Sequence, residues 1–290
     1  MTSTATNLIP SLLWQSTLPV LITHPSLPDH EPYLISVPRL SYLPLLLPRL
    51  NAFFGVPATS FHLEDDDGDG KGKDAEGIQM KNLPVGLLYD LYNPKDGAAE
   101  LPWRLRLGMG PLFDVGDTFV NSVKEADFLR NGTAKAIMSM SKQDSTQLWN
   151  AVQDSKWRLL IQMEGTEADS EIDDRSSFIT IYQKLLNAAQ PLRHIPLRVY
   201  IPHQEEQGGA ASIKIVQALV TPRTEKREVQ TLGSALNKIL PSLFPSRRDP
   251  ILAEPILHGA AVPFRAPLEE LMREAAYPDG WLHVSIVMLN

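Results

Sequence analysis

Stretches in which apolar and polar residues alternate fill the first and last thirds of the chain, and helical spacing fills the middle. Leu18–His24 and Tyr33–Val37 read as strands, with Ser60–Glu64 and Ile78–Asn82 as shorter ones. Trp103–Met109 alternates most clearly, with Trp103, Leu105, Leu107 and Met109 facing one way and Arg104 and Arg106 the other. Asn7–Gln15 is a short amphipathic helix with Leu8, Leu12 and Leu13 on one side and Trp14 beside them. Ser41 can cap a helix toward Phe54 that Pro44 and Pro48 make irregular. Pro84–Tyr92 is a helix with proline where a missing N–H is tolerated. Its Leu87, Leu88 and Leu91 point one way and Asp90 the other.

From Asp117 to Val152 the strand signal vanishes. Phe119, Val123, Ala126 and Arg130 share one helical face, apolar until its last turn, and Asn131-Gly132 ends that helix. Thr133–Met140, Ser145–Gln153 and Phe178–Ala189 read as further helices, and the acidic stretch Glu164–Ser176 as a linker. The last third repeats the first. Ile195–Ile201 and Ser212–Val220 are strands, Leu232–Leu240 is a helix, Pro255–His258 a short strand, Pro267–Ala276 a helix and Trp281–Leu289 a closing strand. Both thirds end on a helix, a proline, a tryptophan and a strand. The expected class is α+β: two ubiquitin-like β-grasp domains, 17–112 and 191–290, flank a helix-rich domain with linker, 113–190, behind an N-terminal helix, 1–16.

Composition narrows the chemistry. The chain is 290 residues long, 43% hydrophobic and 21% charged, enough for a substantial core. Its net charge of -7, with no Lys/Arg block, argues against nucleic acid. There is no cysteine, so disulfides, thiolate nucleophiles and Cys-ligated zinc are all excluded. The N-terminus lacks the basic and apolar regions of a secretory signal, and Leu43–Leu50 is too short to span a bilayer. A cytoplasmic protein is the expectation.

Neither a GxSxG elbow, a Walker A loop, an HExxH pair nor a dinucleotide fingerprint is present, and the seven histidines lack metal-ligand spacing. No catalytic residue, metal or cofactor is assigned. Asp65, Asp67, Asp69, Gly70 and Glu76 match an EF-hand loop. Gly72 replaces the apolar residue that pairs such loops, and the flanks read as strands, so a solvated insert is the simpler account. A ubiquitin-like modifier is not expected either, because the closing strand runs to Met288-Leu289-Asn290 without a Gly-Gly tail.

The segments PVGLLYDLY, LPWRLRL, VKEADFL, QLWNAVQ, IPLRVYIP and YPDGWLHVSI, spread in order over most of the chain, resemble the autophagy-related protein 5 family. The resemblance implies a conjugation scaffold. The lysine of the KEAD segment, Lys124 here, takes an isopeptide bond from the C-terminal glycine of the ubiquitin-like autophagy-related protein 12. The conjugate binds the coiled-coil autophagy-related protein 16 and acts like an E3. It promotes transfer of autophagy-related protein 8 from its E2 to phosphatidylethanolamine at the preautophagosomal membrane. Contacts with the E2 enzymes of both conjugation systems, and with membrane through the complex, are implied as well. An amphipathic partner helix would lay apolar anchors into a groove, for which Leu12, Trp14 and Tyr33 are candidates, with Asp90 facing a basic side chain. Most surface lysines and acids have no such role, and only the resemblance singles these out. The alternatives are an unmodified adaptor with two ubiquitin-like domains and an α+β enzyme whose site leaves no sequence signature.

Overall fold

A computed structural model describes residues 8–63, 82–92, 101–111, 114–142, 144, 146, 148–150, 152–153, 192–203 and 212–289. The EF-hand-like insert, nearly all of the strand expected at 78–82, the linker 164–176 and the helix expected at 178–189 lie outside these residues.

The first lobe follows from strands with one apolar face. Strand β1 (Thr17–Thr23) buries Leu18, Val20 and Ile22 in strict alternation. It pairs antiparallel with β2 (Tyr33–Pro38), Val20 opposite Ile35, and parallel with β4 (Trp103–Gly108), Val20 opposite Trp103. Strand β3 (Ser60–Leu63) closes the edge against β4, giving the order β2-β1-β4-β3. Trp103, Leu105 and Leu107 face the core as expected. Met109 does not, being 70% exposed because the strand stops at Gly108.

The irregular helix expected from Ser41 is two pieces: a 3-10 turn at Leu43–Leu46, then α2 (Leu47–Phe54). Each piece has a proline in its opening turn, where the lost N–H breaks no helical bond. Before them, α1 (Leu8–Gln15) leads into β1, and after β3 comes α3 (Val85–Tyr92).

The second lobe repeats the plan. Its strands are β5 (Ile195–His203), β6 (Ser212–Val220), β7 (Ala253–Leu257), the two-residue β8 (Ala260–Ala261), and β9 (Leu282–Met288). Their order is β6-β5-β9-β7-β8, with β5 and β9 parallel at the centre. Helix α6 (Leu232–Ile239) begins on a capping box between Thr231 and Ser234, and α7 (Leu268–Ala275) precedes the closing strand. In both lobes an opening hairpin receives the final strand parallel to its first strand, which is the β-grasp arrangement.

Between the lobes in sequence lies α4 (Val115–Asn131), followed by one helical turn, α5 (Lys135–Met138), shorter than the helix expected over Thr133–Met140. The Asp114 carboxylate caps α4 by accepting from the Asp117 N–H at 3.0 Å. Gly132, at φ 72°, stops it in the left-handed conformation that favours glycine. Residues 148–150 and 152–153 are helical again. Val115, Phe119 and Val123 pack with Ile137, Leu148, Val152 and the first lobe's Tyr42 into a small separate core. The main core is continuous through both lobes. Helix α3 is the reason, since Val85 to Tyr89 and Leu91 are all buried and the helix also touches β9.

Candidate functional site

Helical geometry decides which side of α4 meets solvent. Val115, Phe119, Val123, Ala126 and Arg130 turn inward. Asp117, Asn121, Lys124 and Phe128 form an exposed ridge on the other side, with Phe128 57% exposed. Lys124 therefore stands on the solvent side, one residue beyond the buried Val123, with a surface phenylalanine one turn further on.

The inner side is fixed to the second lobe at several points. The Trp281 indole N–H donates to the Ser122 carbonyl at 3.0 Å, and the Ser122 hydroxyl donates to Asp279 Oδ2 at 2.8 Å. Arg198 of β5 donates to Glu125 Oε2 at 2.7 Å while its guanidinium lies 3.7 Å from the Trp281 ring centroid. One turn on, Arg130 is 1% exposed and donates to the Gly280 carbonyl at 2.9 Å. The polar end of the apolar stripe is thus a buried anchor. Asp127 is buried too, accepting from Asn131 Nδ2 at 2.7 Å and from the Ile137 N–H at 3.1 Å. These bonds tie α4 to α5 and satisfy a carboxylate that would otherwise be costly to bury.

Behind this contact lies a closed polar relay. His283 meets Asp279 Oδ2 at 2.9 Å through Nε2 and the Tyr200 hydroxyl at 2.8 Å through Nδ1. Burial pushes the Asp279 carboxyl upward, but the His283 ring and the bonds from His283, Ser122 and the Trp281 N–H outweigh it and hold the carboxyl below its usual range. Burial raises the Tyr200 hydroxyl above the ordinary phenol value. Asp, His and hydroxyl in a row can move protons in an enzyme, but His283 and Tyr200 are at most 1% exposed. Two open clefts, one of about 410 Å³ around Thr224, Lys226 and Ser234 and one of about 630 Å³ around Leu45 and Trp149, share no lining residue with the relay.

A charged pair of the first lobe lies where the second lobe packs against it. Arg39 donates to Asp90 Oδ1 at 2.6 Å, and the two side chains are only 11% and 5% exposed. Arg39 also donates to the Gly86 carbonyl, so it binds the start of α3 as well. The second lobe's turn at His258 (φ 52°) and Gly259 (φ 82°) packs against this pair, with backbone angles that suit a glycine at the tip. His258 bonds the Ala275 carbonyl through Nε2 at 2.8 Å and stacks on Tyr277 at 4.1 Å. Part of the residue reaches the surface, but Nδ1 is sealed off and lacks a hydrogen-bond partner. Burial lowers its pKa to about 4, with Arg39 and His283 adding repulsion and the Ala275 bond opposing.

The remaining sequence candidates fall in separate surroundings. Leu12 is 57% exposed on α1, beside Ile9 at 49%. Trp14 is half-buried and packs against both cores. Tyr33 is half-buried, edge-on to Phe53 at 4.7 Å and covered by Arg49 at 5.4 Å. Asp90 meets a basic side chain, but that of its own chain. Ser122, Glu125, Arg198, Asp279 and Trp281 were not among the candidates. Their contacts link residues 73 to 159 apart in sequence, and no local spacing signals them. Among the described residues, no group of three or more His, Cys, Asp or Glu can hold a metal ion, and no helix is long and apolar enough to cross a membrane.

Comparison with known proteins follows the same division. Family models described as the autophagy protein ATG5 UblA domain, alpha-helical bundle region and UblB domain match residues 13–109, 114–160 and 194–286. Autophagy protein 5 of Sclerotinia sclerotiorum is 52% identical, over 97% of this chain and 99% of its own length. That of Chaetomium globosum is 51% identical, over 99% and 92%. The crystal structure of Kluyveromyces marxianus Atg5 shares the fold, with TM-score 0.65 at 22% identity over 96% of this chain and 98% of its own. The chain belongs to the autophagy protein 5 family, and its role is in autophagy.

Proposed function

We propose that the chain is the acceptor and scaffold of a ubiquitin-like conjugation, with Lys124 as the acceptor. The observation that carries this reading is the placement of Lys124: exposed at the middle of a helix whose opposite face is fixed to both lobes. An acceptor needs a reachable amine on a backbone that does not wander, so that the encounter with a charged E2 is productive. The Lys124 Nζ, once it has lost its proton, attacks the thioester carbonyl between the modifier's terminal glycine and the E2 cysteine. A C–N bond forms, the C–S bond breaks, and the thiolate leaves with the electron pair while the amine's second proton passes to solvent or an E2 base. The chain has no cysteine, so the thioester must belong to another protein.

On this reading the modifier is autophagy-related protein 12 and the conjugate joins autophagy-related protein 16. The conjugate then acts like an E3 toward the E2 that carries autophagy-related protein 8, in the cytoplasm and at the preautophagosomal membrane, where phosphatidylethanolamine receives it. The chain is a non-catalytic subunit. A docking face for the protein 16 helix would start from the exposed Leu12 on α1, with Trp14 beneath it and Tyr33 as a further anchor. Asp90 would take a partner's cation only by giving up Arg39.

The test is reconstitution with protein 12, its E1 and its E2, read on a denaturing gel. A shifted band that disappears in Lys124→Arg is expected, since arginine is too basic to act as the nucleophile. An unshifted wild-type band, in a system that modifies another acceptor, refutes the reading and leaves the unmodified adaptor.

A further inference from the structure

The backbone turn that carries Lys124 is held at both its ends by the second lobe, and one side chain takes part in each hold. Ser122 is bonded through its carbonyl by Trp281 and through its hydroxyl by Asp279. Glu125 is bonded by Arg198 at 2.7 Å. Arg198 also reaches the Ser122 hydroxyl at 3.5 Å and lies flat on the Trp281 indole at 3.7 Å. Its side chain is 17% exposed although it is charged, whereas Glu125 is 59% exposed. An arginine stacked on an indole loses little further freedom when it grips a carboxylate, because its planar fork is already oriented. An isolated surface pair would hold the turn only weakly. This one is backed by an aromatic plane and a part-buried hydrogen bond from Ser122 to Asp279.

We propose that Arg198 is a positioning residue for the acceptor lysine: from the second lobe it fixes the Ser122–Glu125 turn and so sets the direction in which Lys124 is presented. The inference rests on the reading of Lys124 as the conjugated residue. Arg198 touches neither the amine nor the incoming modifier. Its effect is on the fraction of encounters in which the amine meets the thioester at an attacking angle. The intrinsic reactivity of the amine is a separate quantity, and that separation supplies the test.

The experiment uses the full chain and a preformed E2 thioester of the modifier, in single turnover over a range of acceptor concentrations. Arg198→Ala is expected to lower the maximal transfer rate about three- to tenfold, the scale of a lost orientation rather than a lost nucleophile. Arg198→Lys keeps the charge without the planar stack and is expected to recover only part of the rate. A second readout is acylation of Lys124 by a small N-hydroxysuccinimide ester, followed by peptide mass spectrometry. That reagent needs no particular approach, so its rate at Lys124 is expected to match wild type in both variants.

A transfer rate for Arg198→Ala within 1.5-fold of wild type overturns the inference. So does a fall in small-reagent acylation parallel to the fall in transfer, which would mean an altered amine or a disordered helix. Should Arg198→Ala fail to give wild-type near-ultraviolet dichroism, Ser122→Ala, which removes only the hydroxyl link, carries the same two measurements. A wild-type chain that is not modified, or a Lys124→Arg chain that still is, removes the reading beneath and the inference with it. Unchanged transfer in Arg198→Ala alongside Lys124-dependent modification removes the inference alone.

Discussion

Mild acid should loosen the junction between the lobes, and His258 sets the window. Its folded-state pKa is about 4 against 6.5 for the free side chain. The folded state therefore binds fewer protons than the unfolded state between those values, and stability must fall as pH falls. The contribution is fully present above pH 6.5 and is lost as pH drops toward 4. Linkage gives a loss of about 1.4 kcal/mol at pH 5.5 and about 2 kcal/mol at pH 5, with an upper bound of about 3.4 kcal/mol for the whole shift. The structural cause is that protonation puts a second N–H on Nδ1, an atom sealed from water beside the Arg39 cation. The assay is urea unfolding of wild type and His258→Asn at pH 7.5, 5.5 and 5.0, a range above most carboxylate titrations. Asparagine tolerates the positive φ and does not titrate. Wild type should lose about 1.4 kcal/mol more than the variant between pH 7.5 and 5.5. Equal slopes in the two proteins, or a steeper slope in the variant, would refute the assignment of this window to His258.

Three other perturbations test neighbouring contacts. Arg39→Ala leaves the Asp90 carboxylate buried without its cation and should destabilise the chain by about 3–5 kcal/mol in urea, while Arg39→Met with Asp90→Asn should recover much of that loss. Trp281→Phe keeps most of the buried ring but removes the indole's bond to the Ser122 carbonyl, which keeps its helical donor, at about 0.5–1.5 kcal/mol, and hydrogen exchange at the middle of α4 should rise more than in β5. Gly132→Ala places a Cβ where the chain turns left-handed and meets Arg193, so a lowered melting temperature is expected, with early fraying of the α4 C-terminus.

The two β-grasp sheets were legible because β1, β4 and β9 carry their partners' requirements in their own alternation or burial. The end of α4 was legible because Asn131-Gly132 is a local stop. Lys124 was visible as part of a family segment, and no physical pattern around it would have chosen it from the other lysines. The anchors of its helix were invisible for another reason. Arg198 reads as the polar position of a β-strand, and Trp281 as one more core aromatic, until folding brings them together across 83 residues. Asp90 misleads in the opposite sense: on a helical wheel it is the solvated side of α3, but α3 has no solvated side once the second lobe covers it.

That double covering of α3 bears on how the polypeptide is made. A ribosome completes the first sheet and its greasy α3 long before Leu282–Met288, the strand that shields the far side, leaves the exit tunnel. Nascent chains must wait, with a sticky helix uncovered, for nearly two hundred more residues to be added. Chaperone capture during synthesis, and poor solubility of any fragment ending before the second sheet, are the costs of joining two ubiquitin-like halves through one shared helix.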